Sequence, residues 1–202
     1  MCEAVPGSSE PSSEPGASGQ TTPRCVSVRL ATPGDWPAIW EILREVVREG
    51  ETYVYDRSLD EESARRLWMI EPPFAVFVAV DSHGMIVGSS KIGPNYSGPG
   101  AHVANASFIV ASPARGRGVG RRLCEHALGW ARAQGYASML FNAVVASNTN
   151  AIALYRSLGF ISAGRVPNSF RTPAGLFEDL YIMYRDLKDI SLTPARASSP
   201  AS

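Results

Sequence analysis

A loop at residues 112–122 is rich in glycine and arginine, and these residue types suit an anionic ligand. Gly116, Gly118 and Gly120 lack a Cβ, so the backbone there can approach a ligand closely. Successive N–H groups in such a loop can point at one anion, and a helix that follows adds the positive end of its dipole. Four arginines add positive charge to the loop: Arg115, Arg117, Arg121 and Arg122. A pyrophosphate is the ligand that this chemistry predicts.

Two common phosphate-binding loops do not match this segment. The dinucleotide fingerprint G-x-G-x-x-G requires a spacing that Gly116, Gly118 and Gly120 do not have, and it follows the first strand of its fold. The loop at 112–122 follows the fourth predicted strand instead. A P-loop requires Gly-Lys-Ser or Gly-Lys-Thr, which this segment lacks. For the loop taken alone, a solvated arginine-rich turn stays open as an alternative.

A second segment with chemically useful residues spans 148–160 and contains Asn148 and Tyr155. The Tyr155 phenol can act as a general acid for a departing anion. Its alternative role is packing on the apolar face of a helix beside Ile152 and Leu158. Asn148 precedes that helix, where its side chain can cap the N-terminus, bind a ligand or do both.

The two segments together resemble the signatures of the GNAT superfamily of N-acyltransferases. Arg115-x-x-Gly118-x-Gly120 is similar to the R/Q-x-x-G-x-G/A loop with which that family holds the pyrophosphate of coenzyme A. Residues 148–160 are similar to its N-x-x-A-x-x-L-Y-x-x-x-G-F motif. The resemblance extends from about residue 25 to residue 187. It implies an acetyl-CoA-dependent N-acetyltransferase that acts by direct attack of an amine on the thioester.

The resemblance also implies where acetyl-CoA lies. The pantetheine arm is expected between two splayed strands, paired with the backbone of Phe108, Ile109 and Val110. A backbone N–H near Val110 is expected to polarise the thioester carbonyl, and Tyr155 to protonate the thiolate as it leaves. The remaining expected contacts with the coenzyme are Arg115, Gly116, Arg117, Gly118, Val119, Gly120, Arg121 and Asn148.

Asparagines on two predicted strands are the candidates for binding the acceptor amine. Asn105 and Asn142 lie within apolar strands, where an amide side chain needs hydrogen-bond partners. They either satisfy backbone groups or hold a small substrate, and Asn105 can also orient the amine during catalysis. The segments around them resemble a subgroup of the family that acetylates azetidine-2-carboxylate and related proline analogues. Aromatic residues at 36–68 are expected to form the acceptor wall.

The general base is not identified by the sequence. The strand at 103–108 carries no carboxylate, although many members of the family have a glutamate there or nearby. Glu178, Asp179 and His102 are remote candidates. A water chain, or an amine that arrives partly deprotonated, is equally consistent with the sequence.

Several classes of function stay open. Acetylation of a small-molecule amine, such as an amino acid or a proline analogue, is the first of them. A protein or peptide N-acetyltransferase and a non-catalytic acyl-CoA-binding regulatory module are the alternatives. Nucleic-acid binding is the weakest, because the arginines are confined to one loop and lack interleaved aromatic residues.

One mixed α/β domain is expected at residues 25–189. Strands are predicted at 26–30, 74–80, 85–92, 103–110, 138–145, 160–165 and 179–185, and helices at 36–49, 60–70, 119–134 and 150–158. This order predicts an α+β fold with helices on both faces of a mixed sheet. The resemblance implies about seven strands, a mostly antiparallel, twisted sheet with four helices, and a splay between strands four and five. Residues 1–24 and 190–202 have the polar, Ser- and Pro-rich composition of disordered segments.

Composition and charge argue against a nucleic-acid-binding, membrane-spanning or metal-binding protein. The 202 residues carry 19 Lys and Arg against 19 Asp and Glu, so no global charge directs the chain to nucleic acid or an anionic membrane. No apolar run reaches the roughly 20 residues of a membrane span, and the N-terminal residues do not resemble a signal peptide. A cytoplasmic protein is therefore expected. It is expected to be a monomer or a homodimer, and the sequence does not decide between the two. The three cysteines and three histidines lack ligand spacing, so no metal is expected.

Overall fold

The computed structural model describes residues 26–188. The two segments predicted to be disordered, 1–24 and 190–202, lie outside the described residues, and the domain limits at 25 and 189 stay predictions. The strands are β1 Ser27–Leu30, β2 Ala75–Val80, β3 Ile86–Pro94, β4 Val103–Val110, β5 Ser138–Val145, β6 Ile161–Arg171 and β7 Phe177–Asp186. The helices are α1 Trp36–Glu49, α2 Glu61–Trp68, α3 Val119–Ala133 and α4 Thr149–Ser157.

The strands form one seven-stranded sheet in the order β1-β2-β3-β4-β5-β7-β6. Neighbouring strands are antiparallel except for β4 and β5, which are parallel. Parallel neighbours need a crossover connection, and α3 supplies it. The predicted mixed, mostly antiparallel sheet with four helices is confirmed.

Helices cover both faces of the sheet, as predicted. Successive side chains of a strand point to opposite faces, so the two faces bury different residues of the same strand. In β2, Val76 and Val78 pack with α1 and α2, whereas Phe77 packs with the buried face of α3. The apolar residues of α1 recur at helical spacing, which gives this helix one continuous buried face.

The segment between α1 and α2 is fixed at both of its ends. Gly50 adopts a left-handed φ of 67° and ends α1, and the Asp60 side chain caps α2 by accepting from the Ser63 N–H at 2.9 Å. Trp68, the last residue of α2, is fully buried, and its Nε1 donates to the Ser89 hydroxyl at 3.0 Å. Truncation of a core tryptophan typically costs about 3–5 kcal/mol, so Trp68 anchors α2 firmly on the sheet.

β3 is longer than predicted, because it includes Pro94. Proline lacks the N–H that a central strand requires. β2 begins at Ala75, opposite Ile92, so no backbone carbonyl of β2 lies opposite Pro94 to need that N–H. β3 therefore extends to Pro94 without losing a ladder hydrogen bond.

β6 is also longer than predicted and β7 begins earlier. The predicted β6 ends at residue 165, shortly before Pro167 and Asn168, whose residue types are common in turns. In the structure these two residues lie in a bulge between Val166 and Phe170, with Asn168 at a φ of 51°. A bulge absorbs residues that cannot pair, so the strand continues beyond it.

No helix among residues 26–188 has the length and apolar character that crossing a membrane requires.

Candidate active site

β4 and β5 separate after a short parallel pairing. The ladder between them consists of two residue pairs and begins at Val103 and Ser138. Beyond these pairs the Asn105 side chain replaces the backbone as hydrogen-bond donor, because its Nδ2 donates to the Leu140 carbonyl of β5 at 2.8 Å. The predicted splay is confirmed, and it leaves a gap beside the C-terminal half of β4. We call the place where the two strands separate, at Asn105 and Leu140, the fork.

The backbone of β4 faces β3 and this gap in alternation. The Ala111 N–H donates to the Val87 carbonyl of β3 at 3.0 Å. Alternate residues of a strand direct their backbone groups to the same side, so Ile109 also faces β3, whereas Phe108 and Val110 face the gap. Two of the three residues predicted to pair with a pantetheine arm therefore offer their N–H and C=O groups to the gap.

The glycine loop follows β4 and leads into α3. Gly116 and Gly118 have φ values of 75° and 80°, and a Cβ at either position would meet no atom within 4 Å. Five backbone N–H groups of this segment have no hydrogen-bond acceptor among the described residues: those of Gly116, Gly118, Val119, Gly120 and Arg121. Unsatisfied N–H groups at a helix N-terminus, within a loop open to close approach, fit a pyrophosphate.

The predicted coenzyme arginines have different partners. Arg115 forms an ion pair of 2.8 Å with Glu49 at the end of α1, and this hydrogen bond raises the pKa of Arg115. Arg121 donates to the Ser157 hydroxyl at 2.7 Å. Both arginines line the cleft described below, whereas Arg117 is exposed and lies outside its lining.

Tyr155 lies on α4 beside the gap, packed between the two splayed strands. Its ring centroid is 4.6 Å from that of Phe141 on β5 and 6.3 Å from that of Phe108 on β4. Burial raises the pKa of the phenol well above its ordinary range, so the group is protonated at neutral pH. No described residue forms a hydrogen bond with its hydroxyl. The ring packs as an apolar side chain does, and the hydroxyl is available for proton transfer.

Asn148 is the N-cap of α4. Its Oδ1 accepts from the Ala151 N–H at 3.2 Å, which is the capping contact that the sequence offers as one alternative. The residue also lines the cleft, and its amide nitrogen has no acceptor among the described residues. Capping and ligand binding are therefore compatible at this position.

Asn105 and Asn142 meet at the fork around a third asparagine. The Oδ1 of Asn95 accepts from the Nδ2 of Asn105 at 3.1 Å and from the Nδ2 of Asn142 at 2.6 Å. Asn105 uses both of its N–H donors, one here and one on the Leu140 carbonyl, while its Oδ1 has no donor among the described residues. The fork thus presents one unused amide oxygen at a residue that lines the cleft.

Tyr53 connects the segment between α1 and α2 to β4. Its hydroxyl donates to the Phe108 carbonyl at 2.8 Å, which is a group that faces the gap. Its ring stacks on Tyr55 at 5.4 Å and tilts against Trp68 at 6.3 Å, and burial raises the pKa of Tyr53. The sequence predicts aromatic residues in this wall but not this hydrogen bond, because the partners are 55 residues apart and leave no local pattern.

The three remote candidates for the general base are placed differently. Glu178 lines the cleft, and its Oε2 accepts from the Ser147 N–H at 3.1 Å. Asp179 lies outside the lining and accepts from the Asn168 N–H, a hydrogen bond that lowers the pKa of the carboxyl. His102 is exposed and also lies outside the lining. Glu178 is therefore the candidate that the fold brings to the site.

One cleft of about 1190 Å³ is lined by the glycine loop, the gap-facing residues of β4 and the side chains of Asn105, Asn142, Asn148, Tyr155 and Glu178. It extends from the glycine loop past the gap and Tyr155 to the aromatic segment at 51–55 and the turn at 172–174. A cleft of this kind suits an extended phosphorylated ligand together with a second small molecule. Within residues 26–188 no group of three or more His, Cys, Asp or Glu side chains is placed to hold a metal ion.

The sequence profile of the acetyltransferase (GNAT) family matches residues 36–160, which include the fork, the glycine loop and α4. The chain belongs to this family. The family and the fold that the sequence predicts are thereby confirmed.

Solved structures and curated relatives of GNAT proteins agree with this assignment. A GCN5-related N-acetyltransferase from Kribbella flavida is 49% identical, with a TM-score of 0.77 over 80% of this chain and 97% of that chain. A phosphinothricin acetyltransferase from Sinorhizobium meliloti, solved in complex with AcCoA, is 26% identical, with a TM-score of 0.73 over 80% and 88%. An L-methionine sulfoximine/L-methionine sulfone acetyltransferase from Pseudomonas aeruginosa is 28% identical over 149 residues, which are 70% of this chain and 83% of that protein.

A fission-yeast relative is covered less completely. The N-acetyltransferase aca1 of Schizosaccharomyces pombe is 33% identical over 99 residues, which are 49% of this chain. The matched part spans about half of that relative, 47% of its length.

Proposed function

We propose that this GNAT protein is an acetyl-CoA-dependent N-acetyltransferase that acetylates the amine of a small molecule, such as an amino acid or a proline analogue. The observation that carries the proposal is the order of groups along one cleft. Loop N–H groups without acceptors come first, then the gap-facing backbone of Phe108 and Val110, then the Tyr155 hydroxyl and the asparagine cluster. The Sinorhizobium meliloti relative, whose structure contains AcCoA, supports the choice of coenzyme.

The cofactor end of the cleft is built from main chain. The N–H groups of Gly116 and of residues 118–121 hold the pyrophosphate, and Arg121 adds positive charge beside them. The pantetheine arm lies in the gap and pairs with the N–H and C=O groups of Val110 and the N–H of Phe108. The Phe108 carbonyl already accepts from Tyr53, so the pairing ends there, beside the thioester that acetyl-CoA supplies.

Tyr155 is the proposed general acid. Its hydroxyl is protonated at neutral pH, has no protein partner among the described residues and lies at the gap where the sulfur has to be. As the thiolate leaves, the phenol donates its proton to the sulfur. A phenol in apolar surroundings is a weak acid, but the thiolate that it meets there is itself poorly solvated and accepts the proton readily.

The acceptor amine is proposed to bind at the fork. The unused Oδ1 of Asn105 accepts one N–H of the amine and orients its lone pair toward the thioester carbonyl, and Asn142 holds a polar group of the same molecule. The cleft offers carboxylates at Glu51 and Glu178 for an ammonium that approaches it. The amine proton then leaves through water toward Glu178, the base candidate that lines the cleft.

A thiol-release assay tests this proposal. The purified full chain is incubated with acetyl-CoA and, in separate reactions, with amino acids, proline analogues, polyamines and short peptides. We expect release of coenzyme A thiol that depends on the amine, with a mass-identified N-acetyl product from one or more of the amino-acid-like acceptors. Release with peptides alone would identify a peptide N-acetyltransferase. Absence of release with every amine, in a protein that binds acetyl-CoA, would identify a non-catalytic module.

A further inference from the structure

A second cavity adjoins the acceptor end of the cleft. It has a volume of about 450 Å³ and lies between the segment that follows α1 and the turn that joins β6 to β7. The cavity borders the cleft directly, because five residues line both spaces: Tyr53, Val54, Tyr55, Thr172 and Pro173. An acceptor bound in the cleft therefore lies beside this cavity.

Two arginines provide the charge of this cavity. Arg57, which precedes α2, and Arg171, the last residue of β6, line it, and no acidic residue does. Within residues 26–188 neither guanidinium forms an ion pair. Two uncompensated positive charges in a concave surface favour an anionic group.

Arg57 is positioned by the end of α1. Its Nε donates to the Arg48 carbonyl at 3.0 Å, so the terminal nitrogens of the guanidinium stay without an acceptor in the described part of the chain. A Cβ at position 50 would lie 2.9 Å from the Arg57 Cδ, and Gly50 leaves the room for it. The remaining N–H donors of the guanidinium lie in one plane, and their geometry matches the two oxygens of a carboxylate.

Negatively charged side chains lie in the neighbouring cleft. Glu51 and Glu178 line the cleft, and neither is within ion-pair distance of a basic side chain among the described residues. The two arginines of the cleft, Arg115 and Arg121, form their ion pairs with Glu49 and Glu125. Acidic groups on one side and basic groups on the other favour a ligand with the complementary charges. Such a ligand directs its ammonium into the cleft and an anionic group into the cavity.

We propose that Arg57 and Arg171 form a subsite for an anionic group of the acceptor, remote from the amine that is acetylated. Acidic amino acids and similar amines with a distal carboxylate are then the preferred acceptors. This inference rests on the proposed function, since it concerns the acceptor of that reaction, but the subsite can be measured without turnover.

The kinetic test compares L-glutamate with L-glutamine, which differ in the distal carboxylate. With the wild type we expect a kcat/KM about tenfold higher for glutamate, and Arg171→Gln should remove most of this preference by raising the KM for glutamate. The matched control is Arg66→Gln, which removes the same charge from the exposed face of α2, lines neither space and should keep the preference. Equal kcat/KM values for the two acceptors in the wild type, or an equal rise of both KM values in Arg171→Gln, would overturn the subsite.

A binding measurement separates this inference from the proposed function. Glutarate carries two carboxylates and no amine, so its calorimetric titration into the full chain reports on the subsite without any reaction. Weaker binding to Arg171→Gln than to Arg66→Gln supports the subsite, even if no amine is acetylated and the proposed function fails. Equal binding to the two variants, or no binding to the wild type, overturns the subsite even if acetylation is observed.

Discussion

Replacing Tyr155 with phenylalanine should separate its chemical role from its packing. The ring contacts with Phe141 and Phe108 do not involve the hydroxyl, and no described residue forms a hydrogen bond with that hydroxyl. Tyr155→Phe therefore removes a proton donor from the cleft without leaving a protein group unsatisfied. The free energy of unfolding should change by no more than about 0.5 kcal/mol.

The effect of Tyr155→Phe on turnover should be far larger than its effect on stability. General acid catalysis typically contributes about 10²–10⁴-fold, which corresponds to about 3–5 kcal/mol of activation free energy. Loss at the lower end of that range is expected, since water can protonate part of the thiolate. The fall should appear in kcat and in kcat/KM alike, because the proton is delivered only as the thiolate leaves.

The pH dependence gives a second readout of Tyr155. An ordinary tyrosine loses its proton near a pKa of about 10. Burial raises the pKa of Tyr155 above that value, so its neutral, catalytically useful form persists to a higher pH. Tyrosinate absorbance below pH 10 should therefore be the same in the wild type and in Tyr155→Phe.

Steady-state kinetics and thermal melting test both expectations, with Tyr136→Phe as the matched control. Tyr136 packs against Trp130, outside the lining of the cleft, and its replacement should leave kcat unchanged. If Tyr155→Phe retains the full kcat across the pH range, Tyr155 is a packing residue and the thiolate takes its proton from water. A large loss of melting temperature would show instead that the hydroxyl has a structural partner.

Two further substitutions test the site, and a third tests an ion pair that stabilises the fold. Tyr53→Phe removes the hydrogen bond to the Phe108 carbonyl, which is worth about 1 kcal/mol, so the melting temperature should fall by about 2–4 °C and the KM for the acceptor should rise. A variant with the melting temperature and the acceptor KM of the wild type would contradict a positioning role of Tyr53. Asn105→Ala should raise the acceptor KM while the calorimetric affinity for acetyl-CoA is retained, and an unchanged acceptor KM would exclude Asn105 from the acceptor site. Asp35, which precedes α1, forms an ion pair of 2.8 Å with Arg29 on β1, and this hydrogen bond holds the pKa of Asp35 below its usual value. Asp35→Asn should therefore lower the melting temperature at pH 7 by a few degrees. A depressed pKa stabilises the fold above the unfolded pKa of about 3.9, so the difference should shrink as the pH falls below 4, and a pH-independent difference would refute the linkage.

Features of the site that depend on short stretches of sequence could be predicted. The glycines of the loop predict a backbone that a ligand can approach closely, and in the structure Gly116 and Gly118 adopt left-handed φ values with open space where a Cβ would lie. Asn148 precedes an apolar helical pattern, and it caps that helix. In each case the physical cause acts within a few residues, so the pattern of residue types is sufficient.

Contacts between distant segments could not be predicted in the same way. The Tyr53 hydrogen bond to β4 and the Glu49 ion pair with Arg115 join residues 55 and 66 positions apart. The role of Asn95 as common acceptor for Asn105 and Asn142 likewise depends on how three segments meet at the fork. The sequence identifies polar and aromatic residues in these segments, but the sheet order decides which of them touch.

The binding of acetyl-CoA to the glycine loop is tested most directly by calorimetry with the wild type, Gly118→Val and Gly129→Ala. Gly118 has a φ of 80°, which a β-branched residue does not tolerate, whereas Gly129 lies within α3 at an ordinary φ with no atom near the position of an added Cβ. The wild type and Gly129→Ala should bind acetyl-CoA at one site per chain with similar affinity. Gly118→Val should keep the fold by circular dichroism and lose most of that affinity. Absence of acetyl-CoA binding to the wild type, or equal affinity of all three proteins, would contradict the assignment of this loop as the coenzyme site.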